Sequence, residues 1–211
     1  MPAPPPTEPA DAPPLSAAEL LAASPAEGDL EALLDVATAE FARYGVARTS
    51  LTDIARRAGV SRPTAYRRLG SKDLLLRRIL VREMRRFFTS LAAALEGVDD
   101  PVDRAVEAFA VGVRTAWEHP LASHLLAEEP GALVPHLADR GAPWIAAARA
   151  ALAAVLGPGD GTDALAHRRA EVVVRLSTSF FLTRESALLA PGPDGLRALA
   201  DTVVRAAVEA A

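Results

Sequence analysis

The sequence predicts an all-α fold, and three observations carry that reading. Apolar residues recur at i, i+3, i+4 spacing along most of the chain after residue 29. Glycine and proline punctuate the pattern where helices should stop or start. No strand-like alternation and no glycine-rich phosphate loop interrupts it, which also argues against a nucleotide enzyme. A chain of 211 residues, 50% of them hydrophobic, can bury one sizeable core or two small ones.

Eight of the 17 prolines lie in residues 1–25, so 1–28 is expected to be a disordered, polyproline-like tail. Within it, Ser16 with Glu19 and Ser24 with Glu27 are capping-box patterns that could support a helical turn or two. The first long helix is expected over Leu30–Tyr44, with Leu30, Leu33, Leu34, Ala37 and Phe41 on one face and Gly45 as its stop.

Residues 49–72 read as a helix-turn-helix. Leu51, Ile54, Ala55 and Ala58 recur at helical spacing after a capping-box start, Ser50 with Asp53. Gly59 supplies a left-handed stop, Val60 an apolar plug, and Ser61 or Arg62 opens a second helix with Pro63 in its first turn. The small residues Ala55 and Gly59 allow the two helices to cross closely.

Ser71 then caps a long helix expected to reach about Glu96 before Gly97. Asp100-Pro101 opens another, striped by Val102, Val106, Phe109, Val113 and Trp117 and closed by His119-Pro120. Shorter helices are expected around Leu121–Glu128 and Gly131–Asp139, and an alanine-rich one over Ala142–Leu156. Asp163 to about Leu189 reads as a long helix apolar on more than one face, through Val172, Val173, Leu176, Phe180 and Phe181. The last helix is expected over Asp194–Ala210.

From Thr49 to Leu75 the chain resembles the tetracycline-repressor (TetR) family of bacterial regulators, whose pattern runs approximately T-[TS]-[VIL]-x-x-I-A-x-x-A-G-V-S-x-x-x-x-Y-x-x-[FL]-x-[ST]-K-x-x-L. Pro63 stands where many members have glycine, Ala65 where a larger aliphatic is usual, Arg68 where histidine is common and Leu69 where phenylalanine is common. The resemblance implies a three-helix DNA-binding head over 29–72, joined by a long helix to a ligand-binding and dimerisation domain over 73–211. It also implies a homodimeric repressor, released from an inverted-repeat operator in double-stranded DNA by an unknown small molecule.

Charge distribution agrees with a DNA-reading head. Residues 29–86 carry a net +6 and residues 87–211 a net −6, while residues 1–28 hold four acids and no cation. Lys72, the only lysine, falls on the family's lysine position. By resemblance Ser50, Tyr66 and Lys72 are phosphate contacts, helped by backbone N–H groups at helix N-termini. Arg62, Thr64 and Arg67 are expected at base edges, and Arg68 at a base or a phosphate. The alternatives are core packing for Tyr66, helix capping for Thr64 and solvated surface charge for the arginines. Arg56 and Arg57 are expected exposed or near the backbone, and Pro63 and Ala65 structural. Asparagine and glutamine are absent, so bidentate reading of adenine is closed to this chain and guanine reading by arginine is expected.

In the C-terminal part, expected pocket walls are Phe87, Phe88, Phe109, Trp117 and Trp144, with Arg114, His124 and Glu128 as polar anchors; core packing is the alternative for each aromatic. Helices near 142–156 and 163–189 are the expected dimer surface, with monomer core packing as the alternative. His119, His124, His136 and His167 are too scattered for the usual metal-ligand spacings, so neither metal nor cofactor is expected. Ser177, Thr178, Ser179 and Thr183 crowd one stretch without a recognisable His/Asp partner, so hydrolysis has no support. The chain has no cysteine and no visible signal peptide, and Arg149 interrupts its longest apolar run, which fits a cytoplasmic protein with no membrane role. Competing readings are a regulator governed by a protein partner or by no ligand, and a helical enzyme with an accessory DNA-binding head.

Overall fold

Capping chemistry sets most helix starts in this protein, whose computed structural model describes residues 28–137, 141–157, 163–192 and 194–211. The elements are α1 (Gly28–Tyr44), α2 (Leu51–Arg57), α3 (Arg62–Leu69), α4 (Lys72–Ala94), α5 (Pro101–Glu118), α6 (Pro120–Glu128), α7 (Pro130–Leu137), α8 (Gly141–Leu156) and α9 (Ala164–Leu182). The last helix runs in three pieces: α10 (Gly195–Leu199), a π-helical turn (Ala200–Val204) and α11 (Arg205–Glu209). No strand occurs among the described residues, so the fold is all-α. Of the tail expected over residues 1–28, only Gly28 is described, as the first residue of α1.

Ser50, Ser61, Ser71, Asp100, His119 and Asp163 each accept a backbone N–H in the first turn of the helix they precede. Each removes an orphan donor and so holds its helix start in place. Proline at the first position of α5 and α6 adds a fixed φ without removing a needed hydrogen bond.

Two apolar cores result. The first joins Leu33, Leu34, Ala37 and Phe41 of α1 to Ile54, Ala55, Ala65 and Leu69 of α2 and α3 and to Leu75 and Ile79 of α4. Leu121 and Leu125 of α6 and Leu133 of α7 belong to the same core, so helices distant in sequence complete it. Phe41 is fully enclosed there, and its truncation to alanine would cost about 3–5 kcal/mol. The second core gathers Leu91 of α4 and Leu95 at its C-cap, Val106, Phe109 and Val113 of α5, Leu152 and Leu156 of α8, Ala170 and Val173 of α9, and Leu196, Val204 and Val208 of the last helix. Helix α4 therefore contributes its first half to one core and its last turns to the other.

Two elements differ from the sequence expectation. The helix expected to run to Leu189 ends at Leu182, and Thr183 is extended. Tertiary contacts hold the next residue: Arg184 donates to the Trp117 carbonyl and the Ser123 hydroxyl, both at 2.9 Å, and lies over the Trp117 ring. The expected single C-terminal helix is interrupted by the π turn. Its extra residue re-phases the helix so that Ala200, Val204 and Val208 are all fully buried, while Arg205 reaches Asp103 at 2.7 Å.

The turn after α1 is held from both sides. Gly45 has a φ of +84°, the Val46 and Ala47 amides donate to the Glu129 carboxylate at 3.0 and 3.1 Å, and the Lys72 ammonium donates to the Val46 and Ala47 carbonyls at 2.9 and 3.2 Å. A Cβ on Gly45 would lie 2.0 Å from Glu129 Oε1. Gly45→Ala thus combines left-handed strain with displacement of that carboxylate, and should lower stability by roughly 2–3 kcal/mol. A urea midpoint equal to that of the parent protein would contradict this account of the turn.

Candidate nucleic-acid interface and ligand cavity

The recognition surface is built by an interlock of short-range bonds. Ser50 and Asp53 form a reciprocal capping box at the start of α2. The hydrogen bonds to Ser50 hold the Asp53 carboxyl below its ordinary value. At the other end Val60 N–H donates to the Ala55 carbonyl and Gly59 N–H to the Arg56 carbonyl, a Schellman motif with Gly59 at φ +68°. The chain then turns into α3, where Ser61 Oγ accepts the Thr64 amide.

Within α3, Ala65 and Leu69 lie four residues apart and are both fully buried. They turn Arg62, Pro63, Tyr66 and Arg67 outward, with Tyr66 54% exposed. An exposed aromatic flanked by exposed guanidinium groups is suited to phosphate and base edges rather than to a core. Ala65, smaller than the family's usual residue, sits in the same core as Ala55 and lets α2 and α3 approach closely.

Four expected contacts are engaged within the protein. The Thr64 hydroxyl shares a 2.8 Å bond with Ser61 Oγ, and Ser50 is part of its capping box. Arg68 pairs with Asp29 of α1 at 3.1 Å, and Lys72 holds the Val46–Ala47 turn. The end of α3 is further fixed by Arg78 of α4, which donates to the Arg68 carbonyl at 2.8 Å.

Beneath the head, residues of α4, α5, α6, α7, α8 and α9 line a cavity of about 330 Å³. Phe87, Phe88 and Trp144 are in its wall, with Met84, Leu152 and Phe181 among the other apolar residues. Phe109 is instead sealed in the core, edge-to-face with Phe180 at 5.6 Å. The Trp117 indole donates to the Phe180 carbonyl at 3.0 Å, away from the cavity lining. Arg114 and Glu128 are exposed, and His124 points its Nε2 toward the Gly45 turn.

The ionisable part of the lining is a group that periodicity did not single out: Glu83, Arg86 and His119. His119 Nδ1 accepts the Ala122 amide, so its proton sits on Nε2 and is donated to Glu83 Oε2 at 3.2 Å. Glu83 Oε1 receives Arg82 at 2.8 Å and Arg86 at 3.5 Å. Burial pushes the Glu83 carboxyl up, but the His119 hydrogen bond and the charges of Arg82 and Arg86 outweigh it and hold the group below its ordinary value. Arg82, itself buried, continues to α1, reaching Glu31 at 3.2 Å, Asp35 at 3.0 Å and the Thr38 hydroxyl at 2.8 Å. One signal was available in the sequence: an acidic pair four apart, Glu31 and Asp35, and a basic pair four apart, Arg82 and Arg86.

The family description "Bacterial regulatory proteins, tetR family" matches residues 33–79, the head and the first turns of α4. Over those residues the chain is similar to the DNA-binding domain of the TetR family. It is 29% identical over 168 residues, 80% of this chain and 82% of the other, to an uncharacterized HTH-type transcriptional regulator of Mycobacterium tuberculosis. Among solved structures, the TetR family repressor AlkX from a Dietzia strain, implicated in biodegradation of n-alkanes, superposes with a TM-score of 0.65 at 17% identity, covering 88% of this chain and 98% of that one. The transcriptional repressor QsdR from R. erythropolis gives a TM-score of 0.57 at 17% identity, covering 88% and 96%. The chain shares with them the fold, a helix-turn-helix head on a helical body.

Because the Glu83 carboxyl is depressed in the folded protein, its charge stabilises the fold above the ordinary value of 4.5, and that contribution is lost as pH falls through the lower folded value. Glu83→Gln should be less stable than the parent protein near neutrality, and the gap should close on acidification below about pH 4. Urea midpoints for both proteins across that range check it, and a gap independent of pH would mean that the carboxylate charge is not its source.

Proposed function

We propose that this regulator is a homodimeric repressor that reads an inverted repeat through α3 and leaves it when a small molecule occupies the cavity beneath the head. One observation carries the reading. The outward face of α3 carries Arg62, Tyr66 and Arg67, while α1 of the same head is ion-paired to the residues that line the cavity. A ligand that binds differently to two arrangements of those ion pairs shifts the balance between them, which is the requirement for control at a distance.

Dimerisation is assigned to α8 and α9. Their partly exposed faces offer Ile145, Ala150, Val155, Val172 and Leu176, with Leu165 exposed at the start of α9. Small and aliphatic side chains allow close helix approach, and two heads are needed for the phosphate contacts of a tight, specific complex. The part of the expected surface beyond Leu182 is not helical, so α9 contributes over Ala164–Leu182. In this reading Tyr66 and Lys72 meet phosphates, Arg62 and Arg67 read guanines, and Ser50, Thr64 and Arg68 orient the helices that carry them. Two solved proteins of this fold are described as repressors, and that is the role proposed for this one.

Selection from random duplexes should return an inverted repeat with G·C pairs at its most constrained positions. Arg62→Ala and Arg67→Ala should each relax one such position by roughly 1–3 kcal/mol, read by fluorescence anisotropy on single-base variants. Tyr66→Phe and Lys72→Ala should weaken binding to every sequence, with Lys72→Ala lowering the salt slope by about one. Unchanged affinity in both of the latter variants, or a site whose invariant contacts are all A·T pairs, would refute the interface.

A further inference from the structure

We infer that the ligand is an uncharged, largely hydrocarbon molecule with one hydrogen-bonding group that meets the Ser177 hydroxyl, an assignment that rests on the cavity being the effector site. Helix α9 turns a single face to that cavity: Val173, Val174, Ser177, Thr178 and Phe181 follow one another at i, i+1, i+4, i+5 and i+8. Two of these carry hydroxyls, and the two differ. Thr178 Oγ1 donates back to the Val174 carbonyl at 2.8 Å, within its own helix. The Ser177 hydroxyl has no hydrogen-bond partner among the described residues, and Ser177 stands partly exposed between Val173 and Phe181, one turn away on either side. Ser90 and Thr115, the other hydroxyls of the lining, stand instead one turn from Arg86 and His119, on the ionisable edge. A polar group left open on an apolar wall is the kind that fixes the orientation of a small molecule.

The ionisable edge is satisfied within the protein. Glu83 accepts from Arg82 and Arg86 on Oε1 and from His119 on Oε2. His119, in its neutral tautomer, uses both ring nitrogens, one toward the Ala122 amide and one toward Glu83. Arg86 is shared among Glu31, Asp35 and Glu83, and its half-exposed outer part faces solvent, where a pair with an incoming anion is screened and contributes little. A charged ligand would therefore give up hydration without meeting an unengaged counter-charge among the described residues of the lining, and that loss is costly. A neutral body gives up little and gains with each apolar group that it buries. At about 330 Å³ the cavity stands near the lower end of the roughly 300–1,000 Å³ usual for small-molecule sites, which suits a compact body.

The test uses full-length protein and four probes with one apolar body: phenylbutanol, butylbenzene, phenylbutylammonium and phenylbutanoate. Isothermal titration, with tryptophan fluorescence as a second reading, should find phenylbutanol and butylbenzene each at least about tenfold tighter than either ion. A smaller gap, or either ion binding tighter, overturns the neutral assignment. Ser177→Ala should weaken phenylbutanol about fivefold and leave butylbenzene unchanged. Equal losses for the two probes, or no loss for phenylbutanol, overturn Ser177 as the anchor. If Ser177→Ala does not fold by circular dichroism, Ser177→Cys, nearly isosteric with a much weaker donor, takes its place with the same expectation. Failure of all four probes overturns the ligand class, and release of operator DNA by another compound then leaves the repressor reading standing. The expected ranking without any release of operator DNA supports the ligand class and overturns ligand-released repression instead.

Discussion

The buried guanidinium of Arg82 is the constraint on which the arrangement of head and body depends. A charge that cannot reach water must be matched where it sits, and removing one partner of such a group typically costs about 3–5 kcal/mol. Arg82 meets that demand with Glu83 on its own helix and with Glu31, Asp35 and Thr38 on α1. The position of α1 against α4 is therefore set by charge as well as by the apolar contacts of Leu33, Leu34 and Ile79. The same carboxylate, Glu83, faces the cavity, so the group that fixes the head is also within reach of whatever enters below it.

The rest of the head is held by similar economy. Glu129 from the body accepts two amides of the Val46–Ala47 turn and Lys72 donates to its carbonyls, so that turn cannot shift without breaking bonds on both sides. Arg78 and Arg68 pin the end of α3 to α4 and α1. With Ala65 and Leu69 sealed inside, the recognition helix has one orientation, and Arg62, Tyr66 and Arg67 are left to face outward. Rigidity of this kind lets a small shift in α1 or α4 appear as a rigid movement of the reading surface.

The helix-turn-helix was legible residue by residue because its signals are local. Ser50 and Asp53, Gly59 and Val60, and Ser61 with Pro63 act within one turn of where they stand, and the caps and Schellman bonds form between those same residues. Several body helices were legible for the same reason, through Ser71, Asp100 and Gly97. Less legible was the end of α9, since Phe180, Phe181 and Leu182 continue a helical pattern that Arg184 terminates by reaching Trp117 and Ser123 across the fold. Sorting the aromatics was likewise beyond periodicity, which cannot tell Phe109, sealed against Phe180, from Phe88, which lines the cavity.

By itself the sequence determined an all-α chain, a helix-turn-helix between Thr49 and Lys72 and a basic head on an acidic body, because composition, capping and helical period are properties of neighbouring residues. Tertiary structure decided which of the conspicuous side chains meet. It turned Thr64, Arg68 and Lys72 toward partners inside the protein, moved His124 and Trp117 away from the cavity, and placed Glu83, Arg86 and His119 there instead. The physical reason is separation along the chain: Arg82 and its α1 partners lie 44 and 51 residues apart, and a charge pair at that distance leaves no period to read until the helices are packed.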